Sequence, residues 1–147
     1  MIYLASPYSD PDPAVREQRY EAACATTAAM LRAGQAVFSP IVHSHPLVAY
    51  GLPTDWAFWQ RVDVEHLRRC DEVAVLMLDG WDRSAGVREE VRLARELGKP
   101  VRYVVPKDAQ PGAVSPRIAH VAACREEAAV WTPTGSLRQE ADTCRSA

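Results

Sequence analysis

Val73-Ala74-Val75-Leu76-Met77-Leu78-Asp79-Gly80-Trp81-Asp82-Arg83-Ser84-Ala85-Gly86-Val87-Arg88-Glu89-Glu90-Val91-Arg92-Leu93-Ala94-Arg95-Glu96-Leu97-Gly98-Lys99-Pro100 reads as strand, loop and helix without a break. The opening apolar run is the pattern of a strand buried on both faces of a parallel sheet. Ser84 is a favourable N-cap and Gly98 a favourable C′ residue, so the spacing predicts a helix over Ala85 to Leu97. Val101 to Val105 predicts the next strand. The unit is a βαβ crossover, and its loop of Asp, Gly and Trp lies at the carboxyl end of the first strand. Open α/β sheets bind their ligands there.

The flanking chain repeats this alternation. Ile2 to Ala5 predicts the first strand, and Ser6 to Pro13 a turn-rich loop. Asp12-Pro13 is an N-cap and N1 pair, and its helix runs to Ala33, before Gly34. Ala36 to Phe38 predicts the second strand. Ser39 to Pro46 predicts a long loop, with no more than a helical turn at Leu47 to Tyr50. Pro53-Thr54-Asp55 opens a helix ending near Arg69-Cys70. Beyond the central crossover, Ser115-Pro116 predicts a last helix to Cys124, and Ala128 to Trp131 a short fifth strand. Five strands alternating with four helices specify an α/β fold: a flavodoxin-like, doubly wound, five-stranded parallel sheet in three αβα layers. Residues 1–131 form this domain, and 132–147 read as a polar tail without periodicity.

A chain of 147 residues is long enough for a full core. Its net charge of -2 offers no basic excess for nucleic acid. No apolar run has membrane-spanning length, and no signal peptide is visible. Cys24, Cys70, Cys124 and Cys144 show neither CxxC nor His-paired spacing. Cys24 and Cys70 fall in helices as small buried residues, and reduced thiols in a cytoplasm are the expectation.

Two carboxylates stand out. On the crossover helix, Glu89 lines up with Arg92 and Glu96 on a solvated face, whereas Glu90 lines up with Val87, Ala94 and Leu97 on the stripe facing the sheet. A carboxylate at the edge of an apolar stripe loses solvation unless it is paired or used. A buried glutamate bonded to a tyrosine or a backbone group is the structural alternative. On the helix from Asp55, Asp63 shares a stripe with Trp56, Trp59, Leu67 and Cys70. Two inward acids from helices flanking one strand form the pattern of paired acid/base or nucleophile chemistry.

The ligand-side loops supply further candidates. Ser6 and Tyr8 follow strand one, His43 and His45 follow strand two, and Asp79 and Trp81 follow strand three. Tyr8 and Trp81 are candidates for stacking on a base, against ordinary packing. The histidines with Asp79 and Asp82 lack fixed metal-site spacing, so no metal is expected and His43 reads as pocket lining. Ser84 opening a helix is a plain N-cap or an anion cradle, with Gly86 permitting close approach. GxSxG, GxGxxG and GxxxxGK[ST] are all missing, which removes the serine-hydrolase elbow, the classical dinucleotide fold and the P-loop.

At these residues the chain resembles the nucleoside 2-deoxyribosyltransferase-like superfamily, and within it the DUF1937-type branch. The resemblance is carried by Ile2-Tyr3-Leu4-Ala5-Ser6-Pro7-Tyr8, by the Ser-Pro…His-Ser-His-Pro segment from Ser39 to Pro46, and by Asp79 to Glu90. It implies a flavodoxin-like fold and cleavage of the N-glycosidic bond of 2′-deoxynucleosides without a cofactor. It places the nucleophile on Glu90 through the Gly86, Glu90 and Ala94 spacing, the second acid on Asp63 through its distance from Asp71, and an accompanying tyrosine on Tyr3. Ser84, where free-nucleoside transferases resemble an Asp, implies phosphate binding as in 2′-deoxynucleoside 5′-phosphate N-hydrolases. Ser115 falls where those hydrolases contribute a serine from a neighbouring subunit, so a homodimer or larger homo-oligomer is implied. The expectation is hydrolysis of deoxynucleoside 5′-monophosphates, or of deoxynucleosides, to free base. Deoxyribosyl transfer between bases, and a nucleotide-binding module without turnover, are the alternatives.

Overall fold

The computed structural model describes residues 1–106. The expected helix from Ser115, the strand at Ala128 to Trp131, the domain boundary at residue 131, and Ser115, Cys124 and Cys144 all lie outside the described residues.

Within them the order is β1 (Ile2–Ala5), α1 (Pro13–Arg32), β2 (Val37–Phe38), α2 (Pro40–Val48), α3 (Trp56–Arg69), β3 (Glu72–Leu76), α4 (Ala85–Glu96) and β4 (Val101–Val104). The strands form one parallel sheet in the order β2-β1-β3-β4. This is the flavodoxin-like arrangement. The chain leaves β1 toward one edge and β3 toward the other, so the switch point falls between their carboxyl ends. β1 and β3 run in register from Ile2 opposite Glu72 to Ala5 opposite Val75.

Strand alternation splits the core in two. Tyr3, Ala5, Val73 and Val75 face one side and pack with Leu67 and Cys70 near the end of α3 and with Val87, Val91 and Ala94 of α4. Leu4, Ala74 and Leu76 face the other and pack with Ala23 and Met30 of α1, with Ile41 and Val42 of α2 against them. The central strands β1 and β3 are apolar on both faces because helices cover both, giving three αβα layers.

The segment from Ser39 to Pro46 differs from the expected loop. Ser39 is an N-cap in extended conformation whose Oγ accepts from the Val42 N–H, Pro40 occupies the first turn, and the helix runs through Pro46 to Val48. Proline at N1 is a start signal, whereas Pro46, inside the helix, forgoes the N–H that would bond the Val42 carbonyl. Two smaller departures concern packing. Leu97 is 43% exposed and does not join the α4 stripe; Val91 does. Positions 87, 91 and 94 lie within about 60° of helical arc, whereas 97 sits at the margin and past the last turn. Cys24 is only partly buried, while Cys70 is buried at the α3 C-cap.

Candidate active site

α4 carries Glu90 inward. Ser84 caps the helix, its Oγ accepting from the Val87 N–H, and Val87, Val91 and Ala94 press the helix on the sheet. Glu90, at the edge of this stripe, is 5% exposed. Tyr3 is the β1 residue on the same sheet face, and its hydroxyl donates to Glu90 Oε1 at 2.7 Å. Burial raises the Glu90 carboxyl to about 8; the Tyr3 bond opposes the rise and the nearby Asp63 charge adds to it. Glu89, one residue away, is exposed and accepts from Arg92 at 2.9 Å.

α3 supplies the second acid. Asp55 caps it, accepting from the Phe58 N–H at 3.0 Å. Asp63 lies two turns in and is 7% exposed. Burial raises its carboxyl to about 6, and His66 on the same helix pulls the other way. Like-charged carboxylates sharing a desolvated space hold a proton between them well above the ordinary acid range.

Both acids open into a cavity of about 440 Å³ at the switch point, a size suited to a small-molecule ligand. One wall is the loop after β1, Ser6 to Asp10; the opposite wall is Asp79-Gly80 and the start of α4, Arg83 to Gly86. α2 contributes Ile41 and Ser44, α1 contributes Arg19, and Thr54, Trp56 and Trp59 complete the enclosure. Gly80 has φ +78°, a left-handed turn that returns the chain from β3 to α4. The Arg19 guanidinium ties the two walls together, donating to the Tyr8, Ser9 and Asp79 carbonyls. Ser6 Oγ is buried without a partner, an unsatisfied group of the kind that clusters at functional positions.

The sequence-derived residues divide accordingly. Glu90, Asp63, Ser6, Tyr8, Asp79, Ser84 and Gly86 line the cavity, and Tyr3 stands behind Glu90. His43 does not line it. As a helical residue it turns outward, exposed beside Phe38 and His66 at ring distances of 6.0 and 6.3 Å. Trp81 does not line it either. The Gly80 turn folds Trp81 back beside Tyr103 of β4, with ring centroids 5.2 Å apart. Among the described residues no three His, Cys, Asp or Glu side chains gather into a metal-binding cluster.

Residues 1–105 match a family described as "Domain of unknown function (DUF1937)". The chain belongs to the DUF1937 family. Among solved structures, the DUF1937 chain is similar to a 2-deoxyribosyltransferase from the psychrotolerant bacterium Bacillus psychrosaccharolyticus. The TM-score is 0.53 at 29% identity, over 72% of each chain. The DUF1937 protein thus falls in the nucleoside 2-deoxyribosyltransferase-like superfamily. A search of curated protein sequences returns no match. Among the described residues of this DUF1937 protein, no helix is long and apolar enough to cross a membrane.

Sequence reasoning passed over Ser44 and Arg19. The Ser39-Pro40 start signal, taken as a helix, places Ile41 and Ser44 three apart on one face and identifies Ser44. Arg19 reaches the DUF1937 cavity from the second turn of α1 and left no local signal.

Proposed function

We propose that the chain cleaves the N-glycosidic bond of 2′-deoxynucleoside 5′-monophosphates. The observation that carries this reading is the buried Glu90 held by the Tyr3 hydroxyl beside Asp63 in one cavity. A carboxylate oxygen of Glu90 attacks C1′ as the bond to the base nitrogen breaks, through an oxocarbenium-like transition state. The bonding pair leaves on the base, and the proton of the Asp63 carboxyl neutralises it. Water, relieved of a proton by Asp63, then attacks C1′ and frees Glu90, yielding 2-deoxyribose 5-phosphate and base. Tyr3 donates to the carboxylate and holds its orientation.

The capped start of α4, with Ser84 and Gly86 on the cavity wall, supports recognition of the 5′-phosphate. Backbone N–H groups and the helix dipole favour an anion there. Arg83 on the same wall adds positive charge. Ser115 of a neighbouring subunit in a homo-oligomer completes the phosphate contacts in this reading. A second reading, transfer of the deoxyribosyl group to another base, is favoured by the similarity to the Bacillus 2-deoxyribosyltransferase.

A panel of deoxynucleotides and deoxynucleosides, with and without a second base, tests both by chromatography. Base release from monophosphates without an acceptor supports hydrolysis, and exchange of bases on free nucleosides supports transfer. Glu90→Ala and Glu90→Gln abolish either reaction, whereas Glu89→Ala leaves it within about twofold, as expected for a surface residue. Binding without turnover by the unaltered chain would replace catalysis with a sensing role.

A further inference from the structure

His45 has no part in the chemistry above, yet it is the most constrained histidine of the described residues. Its Nδ1 lies 3.0 Å from the Tyr8 hydroxyl and its Nε2 3.2 Å from Glu17 Oε2. Its ring lies flat on Tyr20, with centroids 4.0 Å apart and planes at 12°. Helical spacing explains the placement. Ser44 points into the cavity, and His45, about 100° further round α2, meets α1, which carries Glu17 and Tyr20.

The tautomer follows from the partners. A carboxylate can only accept, so Nε2 bears the ring proton toward Glu17. Nδ1 is then an acceptor, and the Tyr8 hydroxyl donates to it. That commits the one proton of Tyr8, and only acceptor capacity remains on its oxygen. Burial raises the Tyr8 phenol, and the Arg16 guanidinium near it opposes that rise. Tyr8 itself lines the cavity.

We propose that Glu17 and His45 fix Tyr8 as a hydrogen-bond acceptor, making Tyr8 a specificity residue for a donor group on the bound nucleotide. The donor is an N–H of the base or the 3′-hydroxyl of the sugar. Glu17 and His45 are positioning residues. The inference rests on the nucleotide reading and assigns a use to the second histidine of the His-Ser-His-Pro segment.

Nitrogen NMR of the full chain with labelled histidine, at pH 8, reads the tautomer without any turnover. The expected result is a His45 ring with its proton on Nε2 and none on Nδ1, and an Nδ1 signal that moves in Tyr8→Phe. A proton on Nδ1 overturns the inference. Calorimetric titration and base release are then compared for dAMP, its 2′,3′-dideoxy analogue and the analogue lacking the 6-amino group. Tyr8→Phe and His45→Phe each weaken Kd and raise KM about tenfold, the worth of one hydrogen bond, for the ligands keeping the donor. The ligand that has lost the donor is indifferent to both variants, and kcat is unchanged throughout. His45→Asn, whose amide oxygen can replace the Nδ1 acceptor, recovers most of the loss. Equal losses for all three ligands, or none, overturn the proposal. Tight, Tyr8-dependent binding without base release would remove the glycosidase reading and leave the specificity assignment standing. Failure of the unaltered chain to bind any of the three removes both.

Discussion

Two carboxyls raised to about 8 and about 6 leave the Glu90–Asp63 pair holding one proton across the neutral range. Burial is the main cause of both rises, and the Asp63 charge adds to that of Glu90. The single proton rests mainly on Glu90, and the productive form, with Glu90 ionised and Asp63 protonated, is the minor tautomer of that state, present in constant proportion between the two values. Below about 6 the pair takes a second proton and the nucleophile is lost; above about 8 it gives up its last proton and the acid is lost. The kcat/KM profile is therefore a bell with its optimum near neutrality. In Tyr3→Phe the donor that favours the charged form of Glu90 is gone, so the alkaline limb, which follows Glu90, moves to higher pH, and the maximum falls about tenfold or more as less Glu90 is ionised. A titration of initial rate from pH 5 to 9 measures both. A flat profile would mean that the buried pair does not carry the reaction. At this scale the sequence spoke clearly where side-chain direction follows helix period: Glu90, its exposed neighbour Glu89 and Asp63 needed only the spacing of their apolar partners. It spoke poorly for His43 and Trp81, whose directions depend on an unexpected helix and on the left-handed turn at Gly80.

Among the elements, α2 is the one whose identity alters the site. Its face bearing Ile41 and Ser44 forms part of the cavity wall, and His45 next to it reaches α1. The helix is short and mostly apolar, so its start is held by the Ser39 cap and its packing on the sheet. Ser39→Ala is expected to cost about 1 kcal/mol of stability, the usual worth of an N-cap. The loss is read as a lower denaturant midpoint with unchanged slope. No change would assign the helix start to packing alone. α1, α3, α4 and the strands were legible because each carries a cap, a glycine stop or an unbroken apolar run. α2 was obscured because two prolines in eight residues resemble a loop, although the first of them sits where helices begin.

For the molecule as a whole, the order β2-β1-β3-β4 brings the ends of β1 and β3 side by side and fixes where chemistry can occur. Tyr3 from one strand, Asp63 from the helix before the next and Glu90 from the helix after it converge from separate parts of the chain. Membership of the DUF1937 family and likeness to a 2-deoxyribosyltransferase agree with a cavity of this kind. The central claim is that Glu90 forms a covalent bond to the sugar. Rapid quenching of the full chain during turnover of a deoxynucleotide, followed by proteolysis and mass spectrometry, tests it most directly. The account predicts a 2-deoxyribose 5-phosphate ester on Glu90, with fragment ions that exclude Glu89, and no such adduct in Glu90→Gln. Turnover with no adduct under conditions where the first step outruns the second, or an adduct on any other side chain, would contradict it.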